Sequence, residues 1–272
     1  MNSPNTLRTG DHGADVTVLQ TRLVRAGYHV SIDGWFGPAT ETAVRAFQRD
    51  HGQVVDGIAG PRTQAALQGQ TDPLALTQNN IITAATSLDC EPAAINAVIE
   101  VESPHGGFLP DGRVVILFER HIFWQQLVAA GIDPATVNLP ESILSQQRGG
   151  YIGGVSEYAR MAQAAAIHKE AAYAACSWGR FQIMGYHAIS LGYVNAVAMA
   201  TAFANGESVH LVAFVSFVEL DADLLKALRA RKWAAFAKIY NGTAYTTNLY
   251  DTKLASAYAR HSAVLDATTE AA

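Results

Sequence analysis

Cysteine is almost missing from this 272-residue chain. Cys90 and Cys176 are the only two, too few for a disulfide scaffold or a four-ligand zinc site, and a pair of buried thiols is expected in place of a bridge. Charge is also scarce, at 16% of residues, and 19 Lys plus Arg against 24 Asp plus Glu leave a net charge of −5. With no basic excess to neutralise a phosphate backbone, a nucleic-acid partner is excluded. Long apolar runs are lacking too. The longest, Ala196 to Leu220, is interrupted by Asn205, Glu207, His210 and Glu219, so it reads as buried helix, and no stable membrane insertion is expected. Met1 to Gly10 shows neither a basic stretch nor an apolar core, so no secretion signal is read there and the cytoplasm is the expected first location. What remains is 49% hydrophobic, enough for a well-cored globular protein and too much for disorder or a fibre.

The first segment repeats itself. Asp33-Gly34-Trp35-Phe36-Gly37-Pro38-Ala39-Thr40 is echoed 23 residues later by Asp56-Gly57-Ile58-Ala59-Gly60-Pro61-Arg62-Thr63. Each Asp-Gly predicts a tight turn and each Gly-Pro a helix with proline at its first position, followed by an apolar set such as Ala43, Val44 and Phe47. Upstream, Val16, Leu19 and Leu23 share one helical face that Gly27 is placed to end. Residues 7–68 therefore read as a three-helix unit, with six basic and six acidic residues in balance, and the remainder carries the whole net charge. The polar string Gln68 to Pro73 marks a boundary. The expected division is a first domain over 1–69, a linker over 70–80 and a second domain over 81–272. The fold class expected is mainly α, with one β-hairpin in the larger domain: Phe108-Leu109, a turn at Pro110-Asp111-Gly112, then Val114 to Phe118.

Chemistry is best sought on the helix opening near Pro92. Ile95, Val98 and Ile99 form its apolar stripe, and the next position on that face is Glu102, whereas Glu100 should face solvent. Pro104 biases Ser103 out of the helical region, so the helix should end at or just after Glu102. Burial and the negative end of the helix dipole both favour the protonated form of such a group. That is what a general acid needs in glycoside cleavage, although a buried Glu paired with an Arg fits the residues equally.

Glu119, after the strand ending at Phe118, is a candidate second carboxylate, as base or nucleophile; the plainer reading has it held by Arg120 or capping the helix that begins near His121. Ser177, Trp178, Gly179 and Gln182 suit a sugar-binding wall or a plain helix junction. Tyr240-Asn241-Gly242 is either a second polar-aromatic contact or a helix end. The run Lys226, Arg229, Arg231, Lys232 and Lys238 reads first as a solvated helix face and otherwise as a contact for anionic wall polymer or lipopolysaccharide.

These motifs carry two resemblances. Residues 7–68, with the doubled turn, resemble the peptidoglycan-binding domain of cell-wall hydrolases; this implies that Asp33, Phe36, Thr40, Asp56 and Thr63 serve wall binding. Residues from about Ile81 to Ala267 resemble the N-acetylmuramidase domain of modular phage endolysins. The carriers are Val101-Glu102-Ser103, Leu117 to Phe123, Gly149-Gly150-Tyr151-Ile152-Gly153-Gly154, Ser177-Trp178-Gly179 with Phe181 to Gly185, and Tyr240-Asn241-Gly242. Lytic transglycosylases are a more distant likeness, from which Arg180-Phe181 and Gly185 depart.

The resemblance implies a bacteriolytic enzyme acting on peptidoglycan without a cofactor, with Glu102 as general acid and Glu119 assisting. It further implies a monomer that accumulates in the host cytoplasm and reaches the periplasm and cell wall once a holin opens the inner membrane. The alternatives are a transglycosylase making 1,6-anhydro ends, a zinc amidase or peptidase drawing on His105, His121, His187 or His210, and a non-catalytic wall-binding protein. The zinc reading is the weaker, since no HExxH occurs.

Overall fold

The computed structural model describes residues 6–102, 106–242, 246 and 248–269, with the side chains of the last helix described as far as residue 263. The chain divides into two compact units, Met1–Thr83 and Ala84–Ala272. The first unit holds α1 (Ala14–Arg25), α2 (Pro38–Asp50) and α3 (Pro61–Ala66). Their apolar faces meet as expected, Val16, Leu19 and Leu23 of α1 packing with Phe36, Ala43, Val44 and Phe47, and Leu7 pairs with Ala59 as a single antiparallel bridge.

Two buried glutamines lock the repeated turns. The Gln20 Nε2 donates to Asp33 Oδ1 (2.8 Å), the Trp35 carbonyl (3.0 Å) and Thr40 Oγ1 (3.0 Å), and its Oε1 accepts the amides of Asp33 and Gly34. Gln48 repeats the scheme on Asp56 (2.7 Å), the Ile58 carbonyl and Thr63, and accepts the Gly57 amide.

The wall-binding set implied by the sequence falls on these turns. Phe36, Thr40 and Thr63 are buried, and Asp33 and Asp56 each commit Oδ1 to their own turn. In this conformation the five residues build the module; Trp35, 48% exposed with its ring over Gly37, is the aromatic side chain the first turn leaves outside.

Residues expected as linker join the first unit, through a Gln53–Thr77 bridge and the Val55 amide donated to Gln78. The division therefore falls inside α4 (Gln78–Ser87).

In the second unit, α5 (Pro92–Glu102) is buried at every position from Ala93 to Ile99. Then come β1 (Ile116–Phe118), α6 (Arg120–Ala129), α7 (Ser156–Ala165), α8 (Lys169–Ala174), β2 (Cys176–Trp178) and β3 (Ile183–Met184). The last five helices are α9 (Ala196–Phe203), α10 (Glu207–Glu219), α11 (Ala222–Arg229), α12 (Trp233–Asn241) and α13 (Tyr250–Thr269).

The expected hairpin shrinks to a Phe108–Val114 bridge, and β1 instead pairs with β2, which pairs with β3, in an antiparallel sheet. The expected single helix over 196–220 is two, parted at Gly206 (φ 134°), and no helix among the described residues is long and apolar enough to cross a membrane. The two thiols are free, Cys176 buried and Cys90 only half-buried. Two cations of the basic run are spent within the unit, Arg229 on the Leu88 carbonyl and Arg231 on Glu91 and Tyr258.

Removing Gln20 deletes five hydrogen bonds at once. Gln20→Ala is expected to cost the first unit about 2–4 kcal/mol. Hydrogen exchange of the full chain checks this: amides of α1 and α2 should lose protection while those of α5 keep theirs.

Candidate active site

Glu102 is the last residue of α5 and Asn241 the last of α12, so two helix ends meet at one carboxyl group. The Asn241 Nδ2 donates to Glu102 Oε1 at 3.0 Å. Burial pushes the Glu102 carboxyl above the ordinary range, and the Asn241 bond only partly opposes this. The carbonyl end of α5 works in the same direction as burial.

Tyr240 stands beside this group. Its ring stacks on Phe236 (5.5 Å between centroids), and its hydroxyl donates to the Phe181 carbonyl at 2.9 Å. Burial, then the Glu102 charge, pushes the Tyr240 phenol far up, and the same two causes raise Tyr250 at the start of α13. Tyr250 is a neighbour of Glu102 that sequence reasoning missed; no local pattern marks it, because it arrives with a distant helix.

Glu100 corrects an expectation. The last helix packs along α5, so Glu100 is not free in solvent but bonds Arg260 and the His261 Nε2, the latter at 2.9 Å. Burial alone would raise its carboxyl, but His261 and Arg260 outweigh burial and hold it below the usual range.

Glu119 opens α6 without capping it, and neither plain reading of it holds. Arg120 turns away, donating to the carbonyls of Gln147, Glu141 and Arg148. The Tyr151 hydroxyl lies 2.9 Å from both Glu119 oxygens, and the His121 Nδ1 sits 3.2 Å from Oε2 without the geometry of a hydrogen bond.

A run of aromatic rings leads from Tyr186 to Tyr240, the ring beside Glu102. Tyr186, whose phenol is raised by burial and then by Glu119 among its neighbours, touches His187 at 4.4 Å. His187 meets Phe217 edge-on at 5.1 Å, and Phe217 meets Tyr240 at 5.8 Å.

Of the residues expected in a sugar wall, Ser177, Trp178 and Gly179 are buried and Gln182 is exposed. Trp178 is 3% exposed, stacks on Tyr173 and donates its indole N–H to the Tyr173 carbonyl, so it offers no face to a sugar. Ser177 is buried and donates to Gln182 Oε1, while Gln182, at φ +49°, donates in turn to the Gly179 carbonyl. Gly179, at φ +68°, lies so close to His210 that a Cβ would sit 2.8 Å from the imidazole. These residues fold the β2–β3 turn that presents the Phe181 carbonyl to Tyr240.

The zinc candidates are not gathered. The His210 Nδ1 accepts the Arg180 amide and its Nε2 faces the Phe203 carbonyl at 2.8 Å; His121 sits by Glu119, His187 by Phe217, and His105 falls outside the described residues. No group of three His, Cys, Asp or Glu able to hold a metal occurs among the described residues.

This geometry has relatives. The N-acetylmuramidase profile matches residues 91–262, more than half of the chain. The chain belongs to the N-acetylmuramidase family. A second profile, for a peptidoglycan-binding domain, matches residues 12–67.

Among solved structures, the muramidase is similar to a Burkholderia AP3 phage endolysin, with 50% identity, a TM-score of 0.91, and 96% of this chain and 99% of that one covered. It is 49% identical over 63 residues to a zinc D-Ala-D-Ala carboxypeptidase of Streptomyces albus G, covering 21% of this chain and 24% of that protein. With a spore cortex-lytic enzyme of Halalkalibacterium halodurans the figures are 42% over 71 residues, 26% and 22%. The muramidase spans about a quarter or less of the length of these curated relatives.

A carboxyl raised by burial binds a proton more tightly folded than unfolded, so ionising Glu102 costs stability as pH rises through the gap between its two values. Glu102→Gln is therefore expected to raise Tm at neutral pH, with the gain vanishing below about pH 4, where a free Glu is also protonated. Thermal unfolding at the two pH values checks the sign.

Proposed function

We propose that the muramidase lyses bacterial cell walls by hydrolysing the β-1,4 bond between N-acetylmuramic acid and N-acetylglucosamine, with Glu102 as general acid. The observation that carries this is a carboxyl at a helix end, raised by burial and bonded by the neutral Asn241 amide. With Oε1 accepting from Asn241, this proposal assigns the transferable proton to Oε2. From there it passes to the glycosidic oxygen as the bond to the anomeric carbon breaks. A water adds to that carbon, and Glu119 takes the water's proton.

Wall recognition falls to residues 12–67, through the surface their locked turns leave outside. The likeness to a phage endolysin over nearly the full chain supports a lysis enzyme. Accumulation in the host cytoplasm, a monomeric state and access to the substrate in the periplasm are part of the same proposal. Internal closure to a 1,6-anhydro sugar needs no second carboxylate, and the family match favours hydrolysis over it.

Glu102→Gln keeps the shape and removes the acid. It is expected to slow bond cleavage by about 10²–10⁴-fold while wall binding persists. Mass spectrometry of peptidoglycan digested by the unaltered enzyme should show reducing ends. Ends lighter by one water, or undiminished cleavage by the variant, would contradict the reading.

A further inference from the structure

The loop Gly149–Gly154 is held at both sides of one residue. On the near side, the Arg120 guanidinium binds the carbonyls of Gln147 (2.9 Å) and Arg148 (3.0 Å). It also lies against Gly150, where a Cβ would approach its Cζ to 3.2 Å at φ +80°. On the far side, the fully buried Glu157 accepts the amides of Ile152 (2.7 Å) and Gly153 (2.8 Å) and, on its other oxygen, the amide of Phe118 (3.1 Å). Arg160, paired with Glu157, donates to the Phe118 carbonyl. The loop is thus fastened to the end of β1 and the start of α6, the two elements that flank Glu119. Tyr151 sits between the fastenings, 47% exposed, with its hydroxyl 2.9 Å from each Glu119 oxygen.

We infer that Tyr151 is the positioning residue for Glu119, its hydroxyl holding the carboxylate in the orientation from which it takes the proton of the attacking water. Among the described residues, the contacts of the Glu119 carboxyl are the Tyr151 hydroxyl at 2.9 Å and the His121 Nδ1 at 3.2 Å. Burial, opposed by the Glu119 charge, holds the neighbouring His121 imidazole below its usual range, and its Nδ1 lacks hydrogen-bond geometry. The Tyr151 phenol, pushed up to about 12 by burial and then by Glu119, keeps its proton throughout the neutral range and remains a donor. Because the loop is pinned, the phenol reaches Glu119 without the entropy loss of ordering a free segment. The inference rests on the role proposed for Glu119 in hydrolysis.

The test is a double-mutant cycle on the full chain, using initial rates of reducing-end release from purified peptidoglycan. Tyr151→Phe keeps the ring and loses the donor. It should lower kcat about tenfold with KM within about twofold, and leave Tm nearly unchanged. In the Glu119→Gln background the same change should cost nothing further, because the group it orients is gone. Multiplying losses, a change confined to KM, or full activity of Tyr151→Phe would each overturn the inference. A fully active Glu119→Gln enzyme beside an inactive Glu102→Gln one would overturn it through the role of Glu119 alone. An active Glu102→Gln enzyme would instead defeat the proposed function, whatever the coupling between Tyr151 and Glu119.

Discussion

A carboxyl group withdrawn from water at the end of an apolar helix, with one neutral amide to receive it, is the constraint on which the rest of the site depends. Glu102 pays a desolvation cost whenever it ionises, and Asn241 recovers only part of it. The fully buried Glu157 shows how the same fold treats a carboxylate meant to stay charged. Burial pushes it up, but the Gly153, Ile152 and Phe118 amides and the Arg160 guanidinium together outweigh burial and hold it below the ordinary range. Glu207, also fully buried, receives the Gly107 amide and Arg180. The number and charge of donors, rather than depth alone, separate an acid from an anchor.

The anchors explain the placement of the rest. Glu207 ties the segment entering β1 to the turn after β2, and Glu157 ties the glycine-rich loop to the end of β1. The β2–β3 turn, closed by Ser177 and Gln182, offers the Phe181 carbonyl to Tyr240 and so fixes the end of α12 where Asn241 can reach Glu102. Residues far apart in the chain thereby converge, their placement set by hydrogen bonds from a few buried side chains.

Much of this was legible in local patterns. The doubled Asp-Gly…Gly-Pro unit marks the first module, and the apolar stripe of α5 singles out Glu102 at the helix end. What local patterns miss is set by partners distant in sequence. Glu100 looks solvent-facing until the last helix brings Arg260 and His261 against it, some 160 residues away. Trp178 and Ser177 have the composition of a sugar wall, yet Tyr173 stacks on the one and Gln182 accepts from the other, so both side chains are enclosed. Thr40 and Thr63 recur in the repeat, and Phe36 and Ala59 share a position in it, because the turn needs them inside, and periodicity alone does not distinguish a recurring scaffold from a recurring contact. Tyr151 carries no periodic signal, since its place is set by Arg120 and Glu157 on either side of it.

The most direct test of the central claim is the titration of the Glu102 side-chain carboxyl by carbon-13 NMR in the full chain, assigned by its loss in Glu102→Gln. Its midpoint should lie above the free glutamate value of about 4.3 and rise further in Asn241→Ala, which removes the donor that favours the charged form. A midpoint at or below the free value, unmoved by Asn241→Ala, would contradict the account.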